Sequence, residues 1–274
     1  MRYIAPERGQ IPPDVFEHPV FADFSPDEMA LCRQLTWPEI DDLNAYWLPP
    51  FQRNGKDYCF QAQDQLLDGK HYEMRIYEDG VIATRRSNWH DLFNAFVWKR
   101  HPLIKSALNR RHCQDIQIIG PRERTRGQYA MTQFDEAGAI LRLHDDGMLK
   151  AWDAHDWPQF FRAWDEVMQE GRLQLWLFGH SIHEHALNPA IALVAKALVI
   201  DNPLPLHKEE MEAAVAEVIS NGLCLNDPQE LRPIPLTGIP GWHPEHNTVD
   251  FFERIPCFQP KRIGKTYPPP LKMV

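Results

Sequence analysis

Asn88-Trp89-His90-Asp91-Leu92-Phe93-Asn94-Ala95-Phe96-Val97-Trp98 is the stretch from which the rest of the chain is best read. At about 100° per residue, Trp89, Leu92, Phe93, Phe96 and Val97 share one helical face, and His90, Asp91, Asn94 and Trp98 share the other. Ser87 or Asn88 suits the N-cap. The helix should end near His101-Pro102, because the residue before proline avoids the helical region. An imidazole, a carboxylate and a carboxamide within about one turn are what a catalytic or metal-binding helix needs. An ordinary polar face can carry the same residues.

Upstream, residues 71–84 alternate around Asp79-Gly80, which predicts a β-hairpin from His71–Tyr77 to Val81–Thr84. Arg85 and Arg86 follow it. Ser25-Pro26-Asp27-Glu28 and Thr36-Trp37-Pro38-Glu39 both have the form of a capping box, predicting helices over 26–35 and 37–46. Residues 1–24 carry Pro6, Pro12, Pro13 and Pro19 and are expected to form an extended arm on the body.

Downstream, a second helix is expected over 102–113. A second hairpin is expected over 126–143, with Asp135-Glu136-Ala137-Gly138 as its turn. Trp157 to Met168 has helical periodicity, Arg172 to Phe178 reads as a strand, and Gly179 to Leu187 reads as a helix stopped by Pro189. An apolar segment, Ile191 to Ile200, precedes a helix over 207–219. From Pro228 onward there are ten prolines in 47 residues. Trp242, Phe251, Phe252, Phe258 and Tyr267 argue that this segment is an ordered wrap, since disordered tails usually lack aromatics. The expected fold is α+β: a single compact domain of short helices and β-hairpins. It comprises an arm (1–24), a core (25–227) and a Pro-rich wrap (228–274).

The 274 residues carry a formal net charge of -9, which argues against non-specific nucleic-acid binding. No run of about 18 apolar residues suggests a membrane span. Met1 to Arg8 lacks the apolar core of a signal peptide, so a cytoplasmic protein is expected. Five scattered cysteines form neither a disulfide framework nor a zinc ribbon. Cys113, after Arg110, Arg111 and His112, is the one with neighbours that would lower a thiol pKa.

Gly179-His180-Ser181-Ile182-His183-Glu184-His185 supplies a second candidate site. On a helix, His180, His183 and Glu184 fall on one side, and the i, i+4 spacing of His180 and Glu184 lets two side chains share one cation. His90, Asp91, His180 and Glu184 together would suit Zn²⁺, Mn²⁺ or Fe²⁺. The same groups could act as a metal-free acid/base pair, or form a buried structural network. Asp135 and Glu136 fit turn chemistry, with a further ligand or base as the alternative. Residues 99–126 hold eight Lys or Arg against two acidic residues. This basic stretch could hold a phosphate or carboxylate next to the His90 helix, or be an ordinary solvated surface.

The Asn88–Ala95 block resembles the signature of the bacterial family catalogued as domain of unknown function 3025. The likeness continues through Ala107-Leu108-Asn109, Phe134-Asp135-Glu136-Ala137-Gly138 and Phe178-Gly179-His180 with Glu184 downstream. It reaches Pro233-Ile234-Pro235-Leu236 and Gly238-Ile239-Pro240-Gly241-Trp242. It covers nearly the whole chain after about residue 15 and implies no established activity. By resemblance, His90, Asp91, Asn94, Asp135, His180 and Glu184 fall within the family's motifs, whereas His183 and His185 do not.

The expected function is a hydrolase-like enzyme acting on an anionic or phosphate-containing small molecule. His90, Asp91, Asn94, Asp135, His180 and Glu184 would be its catalytic residues, and Arg85, Arg110 and Arg126 would hold the anion. The competing readings are a non-enzymatic interaction protein with a structural polar cluster and a nucleic-acid accessory factor using the 99–126 stretch.

Overall fold

Trp89–Arg100 is a helix, and Asn88 is its cap, its Oδ1 accepting the Asp91 N–H at 3.0 Å. Trp89, Leu92, Phe93, Phe96 and Val97 are all buried, and each such side chain contributes roughly 1.5–3 kcal/mol by leaving water. Trp98, expected on the polar face, is buried as well, against Tyr58 and Trp47. The helix is therefore enclosed around most of its circumference. The computed structural model describes residues 3–53, 55–246, 248 and 250–272. Met1, Arg2, Met273 and Val274, at the ends of the expected arm and wrap, lie outside the described residues.

The fold is α+β, as expected. Its main sheet is mixed. Gly138–Leu143 is central and buried at every position, as a strand covered on both faces must be. It pairs antiparallel with Leu173–Leu177 and parallel with Val194–Asp201. The latter also pairs antiparallel with Arg232–Pro235 and parallel with Leu271–Lys272, so the Pro-rich C-terminal segment contributes two strands.

Neither expected hairpin forms. Tyr72–Asp79 is a helix, and Gly80, at φ 71°, is its left-handed C-cap. Val81–Thr84 then pairs in parallel with Cys59–Ala62, a partner distant in sequence. Arg126–Ala137 is likewise a helix, started by a Thr125–Gln128 capping box, and it runs directly into the central strand. An antiparallel hairpin exists instead between Gln52–Arg53 and Lys56–Asp57.

Smaller corrections follow the same pattern. The second capping box is Glu39–Asp42, so its helix is Ile40–Tyr46. The helix after His101 runs through Pro102–Ile119, beyond the expected end at 113. The 157–168 region is two helices, Trp157–Arg162 and Trp164–Gln169. A further helix, Asp146–Ala154, capped by Asp145, follows the central strand.

The N-terminal segment is not extended. It folds into three 3₁₀ turns, Arg8–Gln10, Pro13–Glu17 and Pro19–Phe21, and buries Val15, Phe16, Val20 and Phe21. Arg8 seats it on the His90 helix: the guanidinium lies 4.2 Å from the Trp37 ring centroid and 4.4 Å from that of Trp89. Its Nη1 donates to the carbonyls of Leu31 and Gln34. Among the described residues, no helix is long and apolar enough to cross a membrane.

Candidate functional site

The helix His180–Ala186 packs against Trp89–Arg100 and Arg126–Ala137, so the two stretches singled out in the sequence meet. Two glycines make the junction close. Phe178 N and Gly179 N both donate to the Gly138 carbonyl, at 3.0 and 2.8 Å. A Cβ on Gly179 would lie 2.4 Å from the Gly138 nitrogen and 2.5 Å from Ala137 Cα. Phe134 and Phe178 stack beside them with centroids 4.9 Å apart. Phe134-x-x-x-Gly138 and Phe178-Gly179 are thus two halves of one joint. On one side it carries Glu136 in the last turn of Arg126–Ala137, and on the other His180 as the first residue of His180–Ala186.

His90, on the polar face of its own helix, reaches this joint. Its Nε2 lies 3.0 Å from His180 Nε2, with the two rings nearly perpendicular at 83°. Its Nδ1 donates to Glu184 Oε2 at 2.9 Å. Glu136 completes the group, with Oε1 3.8 Å from His90 Nε2 and Oε2 3.6 Å from His180 Nε2. Ser181 Oγ donates to Glu136 Oε2. One donor atom each from His90, Glu136 and His180 lies within 4.8 Å of the others. The i, i+4 pair His180 and Glu184 therefore grips the two nitrogens of one imidazole, rather than sharing a cation directly.

The two imidazoles have opposite electrostatics. Burial pushes His180 well below the ordinary histidine range; Asp135 opposes this, and Lys105 and His90 add to it. Burial also disfavours charge on His90, but the Glu184 hydrogen bond and the carboxylates of Glu136, Glu184 and Asp91 outweigh it, so its pKa is raised. His180 is held as a neutral imidazole, the form that ligates metals. Among the described residues its buried Nδ1 has no hydrogen-bond partner. The donors suit a divalent transition metal. Two nitrogens each about 2.0–2.1 Å from a tetrahedral zinc sit roughly 3.3 Å apart, close to the spacing observed. Glu184 behind His90 is the carboxylate–histidine arrangement that fixes a ligating ring.

The cluster opens into a cavity of about 420 Å³. Lys105, Asn109 and His112, at successive turns of Pro102–Ile119, form one wall, and Tyr72 and Glu73 another. Lys105 Nζ is buried between Asn94 Oδ1 at 2.8 Å and Asp135 Oδ1 at 2.6 Å, and lies 5.2 Å from the Trp98 ring centroid. Burial raises the Asp135 pKa, but Lys105, with His180 and His112 in support, more than offsets it, so Asp135 titrates below the usual carboxylate range. Asn94 Nδ2 donates to the Tyr72 hydroxyl at 3.3 Å.

Of the residues expected from the sequence, His90, Asn94, Asp135 and His180 line this cavity, and Glu184 braces it from behind His90. Asp91 also reaches the cavity wall, but its carboxylate is bound by the Arg85 guanidinium, with Nη2–Oδ1 at 2.7 Å, and it stands outside the three-donor group. Among the expected anion-binding residues, Arg85 lines the cavity, whereas Arg110 and Arg126 do not. Arg110 faces a separate pocket beside Arg53, and Arg126 pairs with Asp227. Cys113 is no activated nucleophile, because burial, with Glu73 adding to it, pushes its thiol up to about 12. His183 is buried against Phe21, Phe24 and Phe93, and His185 packs on Tyr3.

Glu136 and Lys105 are the main gains over the sequence reading. A hairpin over 126–143 would have left Glu136 in a turn, whereas it sits in the helix Arg126–Ala137. The local signal for that helix is the Thr125–Gln128 capping box, which puts Asp135 and Glu136 in its last turn. Lys105 gave no such signal, being one cation among eight in a basic stretch.

A family model described as "Protein of unknown function (DUF3025)" matches residues 58–262, well over half of the chain. The matched span includes every motif that carries the family resemblance, from Asn88–Ala95 to Gly238–Trp242, and begins later than that resemblance, which reaches back to about residue 15. No curated protein and no solved structure matches the chain.

Proposed function

The chain belongs to the DUF3025 family, and we propose that His90, Glu136 and His180 bind a divalent transition-metal ion serving hydrolysis of a small anionic molecule in the adjoining cavity. The observation that carries this reading is the convergence of two imidazole Nε2 atoms, 3.0 Å apart, and one carboxylate from three different helices. Two nitrogens and a carboxylate oxygen fit Zn²⁺, Mn²⁺ or Fe²⁺. A Zn²⁺ held there would lower the pKa of bound water to about 7 and so supply a nucleophile at neutral pH. Lys105 would stabilise negative charge developing on the substrate, and Asn94 and Tyr72 would orient it by hydrogen bonds. The preference for an anion is supported by Arg124, which lines the cavity and forms no ion pair among the described residues.

A second reading has its own support. With His90 protonated, its Nδ1 donates to Glu184 and its Nε2 to His180, so both nitrogens of His90 can be satisfied in a metal-free polar network. Elemental analysis of untagged protein purified without chelator separates the two. Near-stoichiometric metal that disappears in a His90→Ala/His180→Ala variant and falls in Glu136→Gln is the expected result. Wild-type protein that stays metal-free, and takes up none of the three ions on titration, overturns the metal reading.

A further inference from the structure

Arg110 meets two other cations on a different side of its helix from the one facing the His90 cavity. It lines a pocket of about 120 Å³ with Arg53, Lys56, Tyr58, Tyr77 and Ser106. Among the described residues no carboxylate lines this pocket, and none of the three cations forms an ion pair. In contrast, Arg75, Arg85, Arg126 and Arg232 each pair with an aspartate. Arg53 is held in place by a 2.6 Å hydrogen bond from Nη1 to the buried Ser106 Oγ. Burial pushes its pKa down, and the like charge of Arg110 pushes it further. Two guanidiniums set against one another in a part-buried hollow, with no anion in its walls, are a source of repulsion that a bound anion would remove.

We propose that Arg53, Lys56 and Arg110 form a binding site for a single tetrahedral oxyanion, inorganic phosphate or the phosphoryl group of a monoester, separate from the His90 centre. A phosphoryl group carries a charge near −2 and three acceptor oxygens, which guanidinium forks match in geometry. The pocket is smaller than the roughly 300–1,000 Å³ of a site for a whole drug-sized ligand, so it takes one such group. Lys56 and Tyr77 are exposed, leaving the mouth open for the rest of a larger molecule. Asn109 forms part of both this pocket and the His90 cavity. Its Nδ2 is bound to the Glu73 carbonyl and carboxylate, which makes it a partition between the two.

The test is calorimetric titration of inorganic phosphate, and separately of phenyl phosphate, at constant ionic strength. It is run on the wild type and on the His90→Ala/His180→Ala variant, so that binding at a metal centre cannot be mistaken for this site. Saturable binding in both proteins, weakened about tenfold or more by Arg110→Gln and by Arg53→Gln, is expected. Tighter binding of phenyl phosphate identifies the occupant as the phosphoryl end of a larger molecule, and tighter binding of inorganic phosphate identifies it as the free ion. Absence of saturable binding, or an Arg110→Gln affinity equal to the wild type, overturns the proposal. Arg110→Gln keeps the test decisive if Arg53→Gln unfolds through loss of its Ser106 contact.

Discussion

Glu184 Oε2 lies 2.9 Å from His90 Nδ1, so a carboxylate on one helix sets the tautomer and orientation of an imidazole on another. The proton is held on the nitrogen facing Glu184, and the opposite nitrogen is aimed at His180. Removing the carboxylate as Glu184→Ala should weaken metal binding by about 10–100-fold while leaving the three donors in place. Competition with a chromophoric chelator measures this, and an affinity equal to the wild type would show that Glu184 does not hold the ring.

The joint between Gly138 and Gly179 has no room for a methyl group. Gly179→Ala places a carbon 2.4 Å from backbone, where overpacking typically costs about 1–3 kcal/mol. Urea denaturation should show a loss in that range or above it. Gly9→Ala, with nothing within 4 Å of the added carbon, serves as the control and should stay within about 0.5 kcal/mol. Equal stability of the two variants would remove the joint from the account of how Glu136 reaches His180.

Lys105 is buried against Asp135, which it holds ionised. Lys105→Met leaves that half-buried carboxylate without its cation and should cost about 1–3 kcal/mol. Adding Asp135→Asn should recover part of the loss, because the uncompensated charge is then gone. A double variant no more stable than Lys105→Met would show that the cost comes from packing on Trp98 instead.

His183 is buried among aromatic rings, and burial lowers its pKa to about 3, with the charge of Arg100 adding to the effect. The unfolded chain takes up a proton there near pH 6.5, and the folded chain does not until about 3. In that window the unfolded state binds more protons, so this residue makes stability fall as pH falls from 6.5 towards 3. His183→Leu should flatten the decline between pH 7 and 5, read as a smaller shift in urea midpoint than the wild type shows. An unchanged slope would assign the acid sensitivity to other groups, such as the buried His101.

The two expected hairpins that form as helix and strand show where local sequence signals stop deciding structure. Asp79-Gly80 suits a hairpin turn and also a left-handed helix cap, since both need positive φ at glycine. What selects the cap is the pairing of Val81–Thr84 with Cys59–Ala62, a contact that no window around Gly80 contains. At Arg126–Ala137 the helical alternative was written locally, in Thr125–Gln128 and in the spacing of Ala130, Met131 and Phe134, which are all fully buried.

By itself the sequence determined the His90 helix, its apolar stripe, a cap at Ser87 or Asn88 and the helical character of the His180 segment. All of these follow from side-chain periodicity and short-range hydrogen bonding within a few residues. It also marked His90, His180, Asn94, Asp135 and Glu184 as residues that belong near a site. Only the tertiary structure decided that His180 and Glu184 clasp one imidazole, that Glu136 rather than Asp91 joins the donor group, and that Arg110 leaves the site for another pocket. Those outcomes depend on which helix packs on which, and on two glycines that let backbones meet at a distance no side chain would permit.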